Sequence, residues 1–264
     1  MSYLDSIIAA HRYRATQDTR STQDLTAQCD QLEAPRGFAE AIAGTNTEGR
    51  LAVIAEIKRG SPSKGAFELG PGFGDAHSWA STYADAGATA ISVLTDQDHF
   101  FAKSDDLNLA STVGTPCLRK DFTVSTHDVL DARLMGASAI LLIAAALEPS
   151  ELSELRKVAA DVGLDCLFEI HSLPEMDKLD NCEPKIVGVN QRDLDTFEVD
   201  TQRALSISNS LDPSLIKVAE SGIETPDQAA TLAQGGFNAI LVGESIVTSP
   251  NPSQLLSGFA DIEL

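Results

Sequence analysis

The feature that most limits how this chain can fold is a repeated alternation of short apolar runs with helix-like segments. The runs are apolar on both faces and rich in β-branched residues, as is typical of parallel strands covered by helices. Eight runs follow one another: Leu51–Ile57, Ala90–Leu94, Pro116–Arg119, Ala139–Ile143, Cys166–Ile170, Ile186–Val189, Ile216–Ala219 and Ala239–Val242. Eight such units predict an α/β fold, a single closed (β/α)8 TIM barrel. No Gly-x-Gly-x-x-Gly follows the first run, which argues against a dinucleotide-binding open sheet.

The segment before the first run differs from the rest of the chain in its residue pattern. Apolar residues in 3–8 recur at helical spacing, and Phe38 with Ile42 predicts another short helix that ends before a loop at 44–49. The remainder is polar, so a disordered tail is the alternative. The predicted division is 1–48 for an N-terminal helical extension packing on the barrel and 49–264 for the barrel catalytic domain.

The net charge of the chain limits the kinds of partner that it can bind. The chain has 19 Lys and Arg against 39 Asp and Glu, a formal net charge of −20. Binding to nucleic acid or to an anionic membrane through a general basic surface is therefore not expected. An anionic substrate must instead be met by a local cluster of cations and backbone N–H groups. The high acidity is most simply a solvated surface.

Cysteine and histidine spacing gives no sign of a metal centre. The four cysteines include no Cys-x-x-Cys pair, and the five histidines lack metal-ligand spacing, so we predict neither a disulfide framework nor a metal site. The sequence begins without a charged-then-apolar signal segment, and no apolar run approaches ~18 residues. We expect a cytoplasmic protein.

Polar and ionisable residues stand at the ends of most runs, where a TIM barrel builds its active site. In the first run, a period of two places Ile54, Glu56 and Lys58 on one face. The other ends carry Lys120, Glu169, Asn190 with Arg192, Glu220 with Ser221, and Glu244 with Ser245. One polar strand end is commonly only where a strand meets water, and an isolated Glu-x-Lys is commonly a surface ion pair. Six such ends on one rim predict a catalytic site instead.

The ends of the last two runs have the composition of a phosphate site. Ser221-Gly222 and Gly243-Glu244-Ser245 supply glycines and backbone N–H groups after strands seven and eight, where this fold commonly binds phosphate. Ser61 in the first loop is a further candidate contact. Glu244 fits beside an anion only if its carboxylate points away. Ordinary glycine turns are the alternative.

Several of these blocks together resemble the indole-3-glycerol phosphate synthase family of tryptophan biosynthesis. The main matching blocks are Ala55–Lys64 (AEIKRGSPSK), Leu118–Phe122 (LRKDF), Phe168–His171 (FEIH), Gly188–Leu194 (GVNQRDL), Ala219–Ile223 (AESGI) and Leu241–Ser245 (LVGES). They span the whole predicted barrel in order, and their combination is specific. A departure from the family is the glycine-rich segment 67–76, which we expect to form a slightly longer mobile lid loop.

The resemblance implies a decarboxylating carbon–carbon lyase, and we expect it to act without a cofactor and as a monomer. Its substrate would be 1-(2-carboxyphenylamino)-1-deoxyribulose 5-phosphate, which is cyclised, decarboxylated and dehydrated to indole-3-glycerol phosphate. The implied catalytic residues are Glu56, Lys58, Lys120, Glu169, Asn190 and Ser221. The implied substrate-binding residues are Phe122, Arg192 and Glu220, and the implied phosphate-binding residues are Ser61, Gly222, Gly243, Glu244 and Ser245.

The implied roles are only partly assigned. Lys120 matches the acid at the ribulose carbonyl oxygen, and we expect neighbouring cations and burial to tune it to donate near neutral pH. Glu56, Lys58 and Glu169 match the residues that move protons during dehydration, without a decision on which does which. Arg192 matches the residue facing the anthranilate carboxylate, and Phe122 the wall against the aromatic ring.

Three other functions are weighed against this one. A phosphate-binding cyclase or sugar-phosphate isomerase could use Glu56 and Glu169 as an opposed carboxylate pair, but Lys120 would then have no role. A Schiff-base aldolase would need a lysine on strand six, where this chain has Asn190. A catalytically silent phosphate-binding protein predicts the loss of a matched acid or base, and none is lost.

Overall fold

The polypeptide folds into a closed barrel of parallel strands, as the alternation of runs predicts. The computed structural model describes residues 2–62, 64–67, 74–193 and 196–264. The barrel strands are β1 Ala52–Ile57, β2 Ala90–Leu94, β3 Cys117–Lys120, β4 Ala139–Ile143, β5 Asp165–Ile170, β6 Ile186–Asn190, β7 Ile216–Glu220 and β8 Ala239–Val242. Each strand pairs with its neighbours in the sequence, and β8 closes on β1. The TIM barrel is confirmed, and no strand end lies more than one residue from its predicted position.

The helices of the described ranges cover the outside of the barrel or lie at its ends. They are α1 Tyr3–Gln17, α2 Thr22–Cys29, α3 Phe38–Thr47, α4 Ala76–Asp85, α5 Gln97–Phe100, α6 Asp106–Ser111, α7 Thr126–Leu134, α8 Pro149–Asp161, α9 Arg203–Ser208, α10 Pro226–Gln234, α11 Glu244–Val247 and α12 Pro252–Ala260. A 3-10 helix spans Leu173–Leu179. None of these helices combines the length and apolar character needed to cross a membrane. Most of the predicted lid loop, residues 68–73, lies outside the described residues.

The alternation of side chains along each strand separates two apolar clusters. In β1, Ile54 belongs to a cluster inside the barrel, whereas Val53 and Ile57 join the larger cluster between the strands and the outer helices. The same parity holds in β5, where Leu167 points inward and Phe168 outward. In each of these two strands, the next inward residue lies two positions further along and therefore reaches the C-terminal mouth of the barrel.

The three N-terminal helices contact different parts of the barrel. The side chains of Phe38 and Ile42 in α3 are fully buried and belong to the inner cluster, together with the first inward residue of β1, Ala52. Leu25 in α2 packs against Leu130 in α7. The sequence-based expectation missed α2, and α3 continues through Gly44 to Thr47 instead of ending before the loop. The boundary between residues 48 and 49 stays a prediction.

The first helix lies at the opposite, C-terminal end of the barrel. The His11 ring of α1 is 2.8 Å from the Asp96 carboxylate after β2, and its centroid is 5.2 Å from that of Phe122 after β3. Tyr3 makes an edge contact with Phe197, beyond β6, at 5.2 Å between centroids. Helix α1 therefore adds walls to the mouth, whereas α3 fills the closed end.

The packing of α3 against the closed end of the barrel can be tested by replacing Phe38. Replacing Phe38 by Ala removes a fully buried ring from the inner cluster, and we expect the free energy of unfolding to fall by about 3–5 kcal/mol in urea. The matched control is Tyr13→Ala in α1, whose side chain is 67% exposed, with an expected change within about 0.5 kcal/mol. Equal losses for both variants would show that α3 does not seal the barrel.

Candidate active site

A cavity of about 760 Å³ opens at the C-terminal ends of the strands. Every site residue predicted from the sequence lines it: Glu56, Lys58, Ser61, Lys120, Phe122, Glu169, Asn190, Arg192, Glu220, Ser221, Gly222, Gly243, Glu244 and Ser245. Their convergence follows from the inward parity of the strands, because inward positions near the strand ends meet at one mouth. The geometry decides what each can do.

The floor of the cavity is a lysine held between two buried carboxylates. Lys120 Nζ lies 3.3 Å from Glu169 Oε2 and 3.4 Å from Glu220 Oε2. Burial acts to lower the pKa of Lys120, but Glu169, Glu220 and Glu56 together raise it above its usual value. The expectation that neighbouring cations tune Lys120 downward is therefore wrong, since its neighbours are anions. Lys120 is a stable ammonium group at neutral pH.

Glu220 is the least compensated carboxylate of this group. Burial, with the charges of Glu169 and Glu56, raises its pKa to about 8, although Lys120 acts in the opposite direction. Its carboxylate fits only because residue 188 on the neighbouring strand β6 is glycine. A Cβ at Gly188 would lie 2.0 Å from Glu220 Oε1. A glycine inside a strand can mark such a close approach. Gly188 itself has no role in the sequence-based prediction, although its place inside a predicted strand was a signal for one.

Lys58 stands at the end of β1 with Glu56 as its acidic neighbour. Lys58 Nζ is 3.9 Å from Glu56 Oε1 and 5.6 Å from the centroid of the Phe100 ring. Burial lowers the pKa of Lys58, and the charges of Lys120 and Arg192 act in the same direction. Lys58, rather than Lys120, is therefore the lysine tuned toward neutral pH. Gly243 makes room for its partner, since a Cβ there would lie 2.5 Å from Glu56 Oε1.

Glu169 is kept ionised by its surroundings. Burial acts to raise its pKa, but the charges of Lys120 and His171 and a hydrogen bond from Asn190 hold the pKa below its usual value. Asn190 also accepts a hydrogen bond from the backbone N–H of Arg192 at 3.0 Å. The site thus combines a carboxylate able to accept a proton with two lysines of different acidity.

Arg192 lies at the rim of the cavity. Its guanidinium donates to the carbonyl oxygen of Phe197 at 3.0 Å and lies 3.8 Å from Glu244 Oε2. Glu244 also forms an ion pair with Lys64 from the first loop. The carboxylate of Glu244 therefore points toward two cations that also line the cavity. An anionic ligand at this rim would compete with Glu244 for Lys64 and Arg192.

The turn after β7 presents backbone groups to the same rim. Ser221 and Gly222 both have left-handed backbone conformations, with φ of 68° and 71°. Glycine is required at 222, because a Cβ would lie 2.3 Å from Val199 Cγ1. The Ser245 hydroxyl donates to the Ile223 carbonyl at 2.9 Å, tying this turn to the start of α11. Successive N–H groups in such turns can bind anions.

The apolar side of the cavity rests on α1. The Phe122 ring contacts the His11 ring at 5.2 Å and the Phe100 ring at 6.4 Å between centroids. His11 and Phe100 carry no role in the sequence analysis, since neither stands at a strand end. His11 comes from a segment whose sequence position gives no hint of the mouth.

One group of side chains has ligand types that metals use. Within the described residues, potential ligand atoms of His11, Asp96 and Asp121 all lie within 4.8 Å of one another. These groups already have partners, since His11 contacts Asp96 at 2.8 Å and the Arg119 guanidinium donates to Asp121 at 2.8 Å. The arginine disfavours a cation at this point. We interpret the group as a polar connection between α1 and the loops after β2 and β3.

The close approach of Gly188 and Glu220 gives a direct test. Gly188→Ala must displace the Glu220 carboxylate, and we expect the free energy of unfolding at pH 7 to fall by about 1–3 kcal/mol. Gly44→Ala in α3 is the matched control, because no atom lies within 4 Å of a Cβ built there. It should stabilise by up to about 1 kcal/mol. Indistinguishable urea midpoints would contradict the packing of Glu220 against residue 188.

Solved structures with the same architecture are distant in sequence. The chain resembles a tryptophan synthase subunit alpha from Legionella pneumophila, with a TM-score of 0.61 and 15% identity over 84% of this chain and 96% of that one. It also resembles thiamine phosphate pyrophosphorylase from Pyrococcus furiosus, with a TM-score of 0.57 and 15% identity over 79% and 93% of the two chains. At this identity the likeness supports the fold alone.

Comparisons with known sequences are more specific than these structural similarities. A protein from Chloroherpeton thalassium named indole-3-glycerol phosphate synthase is 38% identical to this chain, over 94% of this chain and 96% of its own length. The protein of the same name from Salinibacter ruber is also 38% identical, over 97% of this chain and 94% of its own length. The relative from Syntrophobacter fumaroxidans is 40% identical over 84% of this chain and 83% of its own. The family model described as indole-3-glycerol phosphate synthase matches residues 4–258. The chain belongs to the indole-3-glycerol phosphate synthase family.

Proposed function

We propose that the protein converts 1-(2-carboxyphenylamino)-1-deoxyribulose 5-phosphate to indole-3-glycerol phosphate, CO2 and water. The observation that carries the proposal is the Lys120 ammonium group held 3.3 Å and 3.4 Å from two buried carboxylates at the floor of the cavity. Joining an aromatic carbon to a ketone builds negative charge on the carbonyl oxygen. A preorganised ammonium group in a water-poor site both stabilises that charge and supplies the proton.

The ring-closing step assigns Lys120 as the acid. The aromatic carbon that bears the carboxylate forms the new bond to the ribulose carbonyl carbon, and the proton of Lys120 goes to the carbonyl oxygen. Loss of CO2 leaves the bonding electrons in the ring system. The raised pKa of Lys120 supports the protonated starting state, and the anionic neighbours favour recovery of its proton.

The dehydration step assigns the remaining ionisable groups. A hydroxyl group must leave with a proton, and a ring proton must be taken by a base. Glu169, whose pKa is lowered, suits the base, and Lys58, whose pKa is also lowered, suits exchange of a proton near neutral pH. Glu56 serves as a base or orients Lys58, at 3.9 Å from its Nζ. Water is then released, so that atoms balance over the reaction.

The residues proposed to bind the substrate differ in charge and shape, and each set is assigned to a different part of the substrate. Asn190, Ser221 and Glu220 are assigned to the sugar hydroxyls and the polar floor, Phe122 to the aromatic ring and Arg192 to the carboxylate. The phosphate is assigned to the turns after β7 and β8 with the first loop, through Ser61, Gly222, Gly243, Glu244 and Ser245. Folding the flexible substrate into a ring-closing shape contributes to the rate alongside proton transfer.

The proposal also includes the domain organisation, the oligomeric state and the location of the protein. We assign residues 1–48 as a helical extension and 49–264 as the catalytic barrel domain, in a monomer that acts in the cytoplasm on this small phosphorylated substrate. Neither nucleic acid nor membrane has a part in the reaction.

Turnover is tested with the anilino-ribulose phosphate itself. Purified protein mixed with it should generate indole fluorescence, and Lys120→Met should lose turnover by at least about 10²-fold while still binding substrate in a calorimetric titration. Lys157→Met, an exposed position in α8, is the matched control and should keep full activity. Turnover by Lys120→Met near the wild-type rate would remove Lys120 as the acid, and an inactive wild type would refute the function.

Glu244 gives a second test of substrate binding. Its carboxylate competes with an anionic substrate for Lys64 and Arg192, so Glu244→Gln should lower KM by about two- to fivefold. Glu154→Gln, at an exposed position in α8, is the control and should leave KM unchanged. A raised KM in Glu244→Gln would instead mean that Glu244 orients these cations for the substrate.

A further inference from the structure

A histidine that does not line the cavity lies directly behind Glu169. His171 follows β5, and its side chain is 12% exposed. Its Nε2 is 3.6 Å from Glu169 Oε1, and its Nδ1 is 3.6 Å from Glu175 Oε2. The imidazole therefore bridges two carboxylates, one of them proposed to act on substrate.

The second carboxylate is firmly held. Glu175, in the 3-10 helix, accepts hydrogen bonds from the backbone N–H of His171 at 3.0 Å and from the Ser172 hydroxyl at 3.0 Å. Neither ring nitrogen of His171 has a hydrogen-bond partner among the described residues. The ring is thus fixed by ion-pair contacts on both sides, and a small movement toward either carboxylate completes a hydrogen bond.

The charges around His171 favour its cationic form. The groups that act on it are Glu169 on β5, Glu175 on the 3-10 helix and Arg203 on α9. Burial and Arg203 act to lower the pKa of His171, but the two carboxylates outweigh them and raise it above its usual value. A cation here stabilises the ionised form of Glu169 at Oε1, the oxygen that Lys120 does not contact.

We propose that His171 is a positioning residue that holds the Glu169 carboxylate ionised and oriented toward the substrate, with Glu175 holding His171 in turn. This rests on the proposed function, because Glu169 is taken there as a base. His171 acts only through Glu169 and touches no substrate. Lys120 Nζ lies 3.3 Å from one oxygen of Glu169 and His171 Nε2 lies 3.6 Å from the other, so each carboxylate oxygen faces its own cation.

The activity test uses His171→Gln. Its kcat should fall about tenfold with KM nearly unchanged, since the ring lies outside the cavity wall. Without the cation the pKa of Glu169 rises, so the acid limb of the kcat/KM profile should move up by about 1 pH unit. The control is His127→Gln, which removes a comparable His–Asp contact at 3.0 Å on α7, remote from the site. An acid limb in His171→Gln that coincides with wild type would overturn the proposal.

A spectroscopic test does not depend on turnover. Coupling is reciprocal, so Glu169→Gln should lower the pKa of His171 by about the amount that His171 lowers the pKa of Glu169. The chain has five histidines, and the ring C–H signal of His171 in a two-dimensional NMR spectrum is assigned by its loss in His171→Gln. We expect a decrease of about 1 unit in Glu169→Gln and a similar one in Glu175→Gln. An unchanged His171 pKa in Glu169→Gln refutes the pair, whereas an inactive wild type with the expected NMR shift refutes only the proposed function.

Discussion

The contact of the Lys120 ammonium with Glu169 and Glu220 is the interaction on which the candidate site depends. Carboxylates with 1% exposure are costly in a barrel interior unless a cation lies beside them. Lys120 meets both, at 3.3 Å and 3.4 Å, and its own raised pKa is the reciprocal effect of their charge. The same contact keeps Lys120 protonated and Glu169 ionised before reaction, which are the states that a proton donor and a proton acceptor need. Removing either charge leaves the other uncompensated.

The barrel makes this contact possible by separating functions along each strand. Inward residues nearer the strand starts, such as Ile54 and Leu167, belong to an apolar core that α3 closes with Phe38. Two residues further along, Glu56 and Glu169 reach the cavity. The apolar layer underneath excludes water from one side of the charged group, which strengthens every electrostatic interaction within it. Stability and chemistry thus occupy successive layers of the same strands.

The strands were predictable from the alternation of apolar runs with helix-like segments. The face on which Glu56 and Lys58 lie was predictable from the period of two along a strand. The environment of each ionisable group was not predictable, because it depends on neighbours from other strands. Lys120 was expected to have cationic neighbours, yet three carboxylates surround it. Gly188 was part of a recognised block, but only the register that sets Asn190 opposite Glu220 reveals the space it gives that carboxylate. His11 reaches the mouth from α1 through a tertiary contact with no local signal.

The candidate site requires Lys120 to be an ammonium group stabilised by buried carboxylates. The most direct measurement is the pKa of its Nζ, from NMR of protein labelled with 15N-lysine, with the signal assigned by its absence in Lys120→Met. We expect Lys120 to stay protonated at pH 10 and to titrate above the 10.5 of an ordinary lysine. Loss of its proton between pH 7 and 9 would show that the carboxylates do not control the charge of Lys120.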